Sequence, residues 1–189
     1  MSDMATVLKA RSFSVDEYHR MADAGLFEAG PHVELLDGLI VEMPPIGKAH
    51  WVSHGRIFRY LVKALDGYAD VEGQISLPLG KRSEPQPDLA VLALSAVEDR
   101  IRPVAPAEIL AMIEIAETSL AKDSGPKRLL YARFGIPNYL VVDLAGEVLL
   151  NYNAPSDGDY GVVQTLPKGD VFALIGVPAV SLEASAFLP

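Results

Sequence analysis

The chain has 189 residues, of which 50% are apolar and 22% are charged, a composition typical of a globular protein and not of a disordered one. It contains no cysteine, which excludes disulfides and thiolate metal sites. The formal net charge of -9 argues against a protein that coats nucleic acid unselectively, but it is compatible with a small basic cleft on an acidic body.

The length predicts a single domain over residues 1–189, with residues 1–12 as a flexible N-terminal arm. No basic-then-apolar leader opens the chain, and no apolar run reaches the roughly 18 residues of a membrane span. Together with the lack of cysteine, this predicts a cytoplasmic protein that does not enter a membrane.

The first elements predicted along the chain are a short helix and a β-hairpin. Ser14 and Glu17 have the spacing of a capping box at the start of the helix, and Gly25 is a typical stop at its end. Asp37-Gly38 lies between two apolar runs, which is a strong hairpin signal. The first run contains Glu34, which we interpret either as a further site carboxylate or as a residue of an exposed sheet edge.

A helix is predicted next, from His50 to Leu65, and it carries a basic stripe. Arg56, Arg59 and Lys63 fall on one face at helical spacing. A stripe of this kind is commonly a solvated surface, but it would also suit contacts to the phosphates of a nucleic acid.

Two histidines lie in the first turns of this helix. His50 and His54 have the i, i+4 spacing that can bind a transition metal. Because the glutamate of the zinc-protease pattern is missing, we favour a role for His50 in a polar lid or a substrate contact over a metal pair.

Two later apolar runs each carry one acid. Asp88 follows a proline just before Leu89–Leu94, and Glu114 lies inside Ile109–Ile115. Both runs predict buried strands, and the single connection between them suggests that the strands are neighbours, so that the two carboxylates converge. An ionised carboxylate in an apolar run is costly unless a cation, a proton or several donors accompany it.

A lysine on the following helix supplies a suitable cation. The helix is expected to begin between Asp123 and Pro126, which places Asp123, Lys127, Tyr131 and Phe134 in one stripe. If the stripe lies along the sheet, Lys127 reaches the acids; the alternative is an exposed Asp123–Lys127 pair, which contributes only about 0.2–0.5 kcal/mol. Two acids with a lysine beside them predict a site for a hard cation, Mg²⁺ or Mn²⁺.

The region from Glu147 onward predicts strands separated by turns at Asp157-Gly158 and Lys168-Gly169. It carries no catalytic pattern. We expect it to extend the sheet or to form an edge ribbon that can carry a dimer contact.

Four segments of the chain together resemble one known family. They are VELLDG at 33–38, the proline-rich loop that leads to His50, EPQPDLAVL at 84–92, and IEIAETSLAKDSGPKRLLYARFGIPNYLVVDL at 113–144. The set is similar to the Uma-type family of restriction-endonuclease-like proteins, within the PD-(D/E)XK nuclease superfamily. The resemblance extends from Phe13 to Leu188 and is most specific from Pro87 to Asp143.

The resemblance implies an α/β (α+β) restriction-endonuclease-like fold, with a mixed central sheet flanked by helices and extra C-terminal strands. It implies Asp88 and Glu114 as metal ligands and Lys127 as the catalytic lysine. The superfamily pattern carries a lysine two residues after the second acid, whereas Ala116 stands there in this chain and Lys127 on the next helix takes its place. Further family positions are Glu34, His50 and Gln74.

Two functions arise as hypotheses. The first is a Mg²⁺- or Mn²⁺-dependent endonuclease that hydrolyses phosphodiester bonds in DNA, where the metal activates a water and stabilises the developing charge. The second is a catalytically silent nuclease-like module for binding or assembly. The intact set of Asp88, Glu114 and Lys127 favours the enzyme, whereas the charge of -9 and the lack of a long basic tract favour the module. A homodimer is expected in either case.

Overall fold

The computed structural model of the chain describes residues 10–27, 32–98 and 102–189. Contacts divide the chain into two compact units, the smaller comprising Met1–Met43 and Pro78–Pro85 and the larger comprising Pro44–Leu77 and Gln86–Pro189. The single domain over residues 1–189 stays a prediction, and most of the predicted arm lies outside the described residues.

The described part of the smaller unit contains a capped helix and a hairpin. Helix α1 (Val15–Asp23) begins after Ser14, whose hydroxyl accepts from the Glu17 N–H at 3.2 Å while the Glu17 carboxylate accepts from the Ser14 N–H at 3.0 Å. Strands β1 (Val33–Leu36) and β2 (Leu39–Glu42) pair antiparallel across Asp37 and Gly38. These two residues have φ of 51° and 81°, as a type I′ turn requires. The capping box and the hairpin are therefore confirmed.

The larger unit is built on a six-stranded mixed sheet. Its strands in spatial order are β3 (Asp70–Gly73), β4 (Leu89–Leu92), β5 (Ile109–Ala116), β6 (Asn138–Asp143), β7 (Val148–Ser156) and β8 (Asp159–Leu166). Neighbouring strands are antiparallel except β5 and β6, which are parallel. The predicted neighbours β4 and β5 do pair, and the predicted mixed sheet is confirmed.

Helices connect these strands and cover the sheet. Helix α2 (Lys48–Ala64) precedes β3, and α3 (Leu94–Glu98) with a 3₁₀ turn (Pro106–Glu108) joins β4 to β5. The parallel pair β5–β6 requires a longer crossover, which α4 (Leu120–Lys122), a π-helical turn (Asp123–Lys127) and α5 (Arg128–Arg133) provide. No helix of the described residues combines the length and the apolar character that crossing a membrane demands.

The main core of the larger unit lies on one face of the sheet. Ile57 and Leu61 of α2 are fully buried there against Ala111, Ile113 and Ile115 of β5. Because successive strand residues point to opposite faces, the residues between them, Glu114 included, point to the other face. Glu114 therefore lies on the face of β5 opposite to the one that packs against α2.

The C-terminal ribbon consists of β9 (Val171–Leu174) and β10 (Val177–Glu183), which pair antiparallel around Gly176. A 3₁₀ turn (Ala184–Ala186) follows. Strands β8 and β9 lie on either side of the predicted turn at Lys168-Gly169 and confirm the strands expected there. Strand β10 was not predicted, since Pro178 and small residues interrupt its apolar pattern.

Candidate active site

The register of two strands brings the predicted acids side by side. Leu89 of β4 lies opposite Ile113 of β5, so Asp88, just before β4, lies beside Glu114. Asp88 accepts a hydrogen bond from the Ile115 N–H through Oδ2 at 2.7 Å. The Asp88 side chain is 15% exposed and that of Glu114 is 5% exposed, so both carboxylates are largely buried and Asp88 is the more open of the two.

Two groups of the β5–β6 crossover compensate the buried Glu114. Lys127 Nζ donates to Glu114 Oε1 at 2.8 Å, and the Tyr131 hydroxyl donates to the same oxygen at 2.9 Å. Lys127 is 1% exposed and Tyr131 is fully buried. The interpretation of Lys127 as half of an exposed surface pair is therefore wrong, and its stripe lies along the sheet.

An irregular turn points Lys127 at β5. In the π-helical turn, the Arg128 N–H reaches back to the Asp123 carbonyl, five residues earlier. Pro126 lies inside the turn and has no N–H, so the usual bond to the carbonyl four residues earlier cannot form. The prediction that the helix begins between residues 123 and 126 is therefore wrong: it begins at Leu120 and widens at the proline. Single π-helical turns inside helices are frequent at functional sites.

Two histidines of α2 contact different oxygens of Asp88. His50 Nε2 lies 3.0 Å from Asp88 Oδ1, and His54 Nε2 lies 3.1 Å from the Asp88 carbonyl oxygen. The hydrogen bond to Asp88 raises the pKa of His50, while burial acts in the opposite direction. Each Nε2 is thus engaged by Asp88, which agrees with a polar role for His50 and not with a histidine metal pair.

The other two family positions have different surroundings. The Gln74 N–H donates to the Asp88 carbonyl oxygen at 3.0 Å, and its carbonyl accepts from Gln86 Nε2 at 2.6 Å, while its side chain is exposed. Glu34 of β1 is 0% exposed, so its interpretation as an exposed edge residue is wrong. Within the smaller unit, burial chiefly and then Glu84 and Glu34 raise the pKa of Tyr18. A role of Glu34 in catalysis stays a prediction.

Asp123 is a further buried acid near Asp88, which the sequence pattern placed on the Lys127 stripe without assigning it to the site. It is 2% exposed, its Oδ2 accepts from the Ser119 hydroxyl at 2.5 Å, and its Oδ1 has no hydrogen-bond partner among the described residues. Burial is the largest cause that raises the pKa of Asp123, and the nearby Asp88 carboxylate adds to it, against Ser119 and Lys127. The sequence feature that could have indicated its place beside Lys127 is their spacing of four residues, which puts both side chains on one face of a helix.

We expect Asp123→Asn to stabilise the protein at neutral pH. The pKa of Asp123 is higher in the folded protein than in the unfolded chain. The stability that protonated Asp123 contributes is therefore fully present below its pKa in the unfolded chain, and it is lost as the pH rises through its pKa in the folded protein. The asparagine variant escapes that loss, so its melting temperature should exceed that of wild type at pH 8, with the difference shrinking towards pH 4. Thermal unfolding at both pH values measures this. Asp66→Asn, on an exposed turn, is the matched control, and equal shifts in the two variants would refute the effect of burial.

The predicted basic stripe divides into two parts. Arg56 Nη2 donates to the Phe187 carbonyl oxygen at 3.1 Å, and Arg56 Nε is buried without a hydrogen-bond partner among the described residues. Arg59 and Lys63 are exposed. The interpretation as a solvated face therefore fits Arg59 and Lys63 but not Arg56.

The fit of the candidate site to a hard cation depends on its carboxylates. Within residues 10–27, 32–98 and 102–189, no cluster of three or more histidine, cysteine, aspartate or glutamate side chains is arranged to hold a metal ion. The donor chemistry nevertheless suits Mg²⁺ or Mn²⁺, because Asp88, Glu114 and Asp123 all offer oxygen. Asp123 Oδ1 is buried and unpartnered, and its carboxyl is under repulsion from Asp88, which a cation would relieve.

Comparison with known proteins bears on the family and the fold of the chain. The family model described as "Uma2: Putative restriction endonuclease" matches residues 15–185. The crystal structure of a "putative nuclease belonging to DUF820" from Anabaena variabilis ATCC 29413 superposes with a TM-score of 0.69 over 93% of this chain and 97% of that chain, at 16% identity. That likeness confirms the predicted fold class. No protein of curated function matches the sequence.

Proposed function

The chain belongs to the Uma2 family, described as "Putative restriction endonuclease", and from this premise we propose that it is a divalent-metal-dependent endonuclease that hydrolyses phosphodiester bonds in DNA. The observation that carries the proposal is the buried contact of Lys127 with Glu114, beside Asp88. Asp88, Glu114 and Lys127 are the proposed catalytic residues.

The energetics of this contact favour a chemical role. A buried ion pair is often no more stabilising than apolar residues of the same volume, because desolvation offsets the attraction between the charges. Lys127 and Glu114 are 2% and 5% exposed in their side chains, so both have lost nearly all of their hydration. Buried charges gathered beside a partly open carboxylate such as Asp88 are typical of active sites.

Each residue then has a specific task. Asp88 and Glu114 would hold Mg²⁺ or Mn²⁺, and such an ion, when bound, lowers the pKa of a coordinated water and supports charge on the phosphate. Lys127 places a preorganised ammonium group where negative charge develops on the phosphoryl oxygens. Tyr131 orients Glu114 and His50 orients Asp88 through the hydrogen bonds described above. Attack of water oxygen on phosphorus breaks one P–O ester bond and leaves a phosphate monoester and a hydroxyl end.

Metal binding at Asp88 can be tested independently of turnover. We expect Mn²⁺ to raise the melting temperature of wild type, because a ligand that binds only the folded state stabilises it. Asp88→Asn should largely lose both this response and the calorimetric binding signal, while Asp66→Asn on the surface should keep them. Wild type should also nick supercoiled plasmid in Mg²⁺ and not in chelator. Equal Mn²⁺ binding by wild type and Asp88→Asn would exclude this metal site.

An exposed sheet edge supports the second candidate function, an assembly module. Strand β8 is the last of its sheet, and its residues 161–165 are exposed and uncharged. Val162 and Val163 are 43% and 54% exposed although successive residues point to opposite faces. Such an edge can pair with the same edge of a second copy, which supports the homodimer that we also propose. Sedimentation equilibrium of wild type and Val163→Lys tests it, and an unchanged mass would remove this edge as the contact.

A further inference from the structure

Helix α2 concentrates positive charge on an acidic chain. Its 17 residues include four lysines and arginines and no aspartate or glutamate. The chain as a whole has a formal charge of -9, so the rest of the chain, with 12 basic and 25 acidic residues, carries -13. At about 100° per residue, the four cations fall within about 80° of arc. They are Lys48, Arg56, Arg59 and Lys63.

A cavity of about 540 Å³ opens beside the N-terminal half of this helix. Lys48, Ser53 and Arg56 line it from α2, and Glu117 lines it from the segment after β5. Lys48 was not part of the predicted stripe, but it brings a second cation to the cavity that Arg56 lines. Arg56 uses Nη2 for the Phe187 carbonyl oxygen and leaves the buried Nε unsatisfied by any described residue. Lys48 and Arg56 thus place two cationic side chains on the wall of this cavity, and such groups attract an anion.

Glu117, the acidic side chain that lines the cavity, is hydrogen-bonded to the first turn of α2. Glu117 Oε2 accepts from the His50 N–H in the first turn of α2 at 3.3 Å. Its carboxylate also packs on Gly47, where an added Cβ would lie 2.2 Å from Oε2. Its charge therefore offsets the positive end of the helix, and among the side chains that line the cavity the two cations Lys48 and Arg56 outnumber this one acid.

His50 links a wall residue of the cavity to the candidate active site. His50 donates its N–H to Glu117 on the cavity wall, and its ring contacts Asp88 Oδ1 at 3.0 Å. One residue thus separates the cavity from a proposed catalytic carboxylate. Any phosphate held in the cavity would belong to a group close to the scissile phosphate.

We propose that this cavity binds one backbone phosphate of the substrate, next to the phosphate that is hydrolysed, with Lys48 and Arg56 as its ligands. The proposal rests on the proposed endonuclease function and assigns it a substrate with at least two linked phosphates. Arg56 offers a directed N–H donor and Lys48 a mobile point charge, which together suit a tetrahedral phosphate. Arg59 and Lys63 extend the positive face of α2 beyond the cavity, where they can attract further phosphates of the same DNA strand.

The test pairs protein variants with DNA in which single phosphates are neutralised. A labelled duplex of fixed sequence, with one methylphosphonate placed at each position in turn, is titrated in chelator so that no cleavage occurs. In wild type, neutralising one particular phosphate should weaken binding by about tenfold. In Lys48→Met, the unmodified duplex should bind about that much more weakly, and the same methylphosphonate should have no further effect. In Lys48→Met, the slope of log affinity against log salt should also be smaller than in wild type by about 0.9 in magnitude, because one phosphate contact fewer releases counterions.

Comparison variants distinguish a built site from general attraction. Lys63→Met, on the same helix but outside the cavity, should weaken binding without removing the sensitivity to that phosphate. Arg56→Lys keeps the charge and loses the planar set of guanidinium donors, and it should reduce the sensitivity to that phosphate while retaining the wild-type melting temperature to within a few degrees. Persistence of the sensitivity in Lys48→Met, or no sensitive phosphate in wild type, would overturn the subsite. Wild-type hydrolysis of bis(p-nitrophenyl) phosphate, which has a single phosphate, tests the proposed function separately, so the two can fail independently.

Discussion

Lys127→Met is expected to lower the free energy of unfolding by about 3–5 kcal/mol at neutral pH, the usual result of removing one partner of a buried ion pair. Methionine fills the volume of the lysine but leaves the 5% exposed Glu114 carboxylate with the Tyr131 hydroxyl in place of a cation. Urea denaturation with linear extrapolation measures the loss. Lys81→Met, an exposed lysine that loses the same charge, is the matched control and should be nearly neutral.

The double variant identifies the cause. Glu114→Gln/Lys127→Met removes both charges, so it should regain most of the stability that Lys127→Met loses, and the two substitutions should be strongly non-additive. If Lys127→Met is as neutral as Lys81→Met, the contact between Lys127 and Glu114 does not exist in solution. If the double variant is no more stable than Lys127→Met, the lost stability comes from packing and not from an uncompensated charge.

Catalysis should respond to the same residues with an effect of a different size. Cleavage of supercoiled plasmid is expected to fall by about 10² or more in Lys127→Met, the scale observed when one preorganised electrostatic group is lost. Glu114→Gln should lose activity at least as strongly, because it also loses a proposed metal ligand. Rates are compared in Mg²⁺, Mn²⁺ and chelator, at a temperature where circular dichroism shows each variant fully folded.

The controls of this series separate three explanations. Activity that survives in Glu114→Gln and in chelator would come from a contaminant. Activity that falls in proportion to the unfolded fraction would make Lys127 a structural residue. Wild type is assayed on supercoiled plasmid, linear duplex, single strands and an activated diester. Reproducible lack of activity on all of them would favour the assembly module over the endonuclease.

The neighbouring positions of Asp88 and Glu114 follow from the sequence because the pairing of strands obeys strong rules. An apolar run interrupted by one acid predicts a buried strand, and a single connection predicts that neighbouring runs pair, so Asp88 and Glu114 were expected to converge. The resemblance to the Uma-type family added their roles, which neither spacing nor burial determines. The orientation of Lys127 stayed open at that level, because helical periodicity defines a stripe without showing which neighbour the stripe faces.

Asp123 and Glu34 show where local patterns carry too little information. Asp123 precedes Ser124-Gly125-Pro126, which is typical turn chemistry, and aspartate commonly caps helices at such places. Its burial depends instead on long-range contacts, among them the Tyr139 hydroxyl, which donates to the Asp123 carbonyl at 2.9 Å. Glu34 lies between apolar residues as an edge residue would, and its full burial depends on tertiary packing that this local pattern does not encode.

The π-helical turn makes chain length itself part of the candidate catalytic apparatus. A lysine on a strand two residues from an acid is held in phase by the strand alone, whereas Lys127 lies thirteen residues after Glu114 and depends on every residue between them. Removing one residue from the α-helical part, α4, would rotate Lys127 by about 100° about the helix axis, and its ammonium would then no longer face Glu114. Deletion of Ala121 should therefore be more damaging than substitution of Ala121 by serine. In this crossover the number of residues between Glu114 and Lys127 matters as much as the identity of the lysine, because that number sets the direction in which the lysine points.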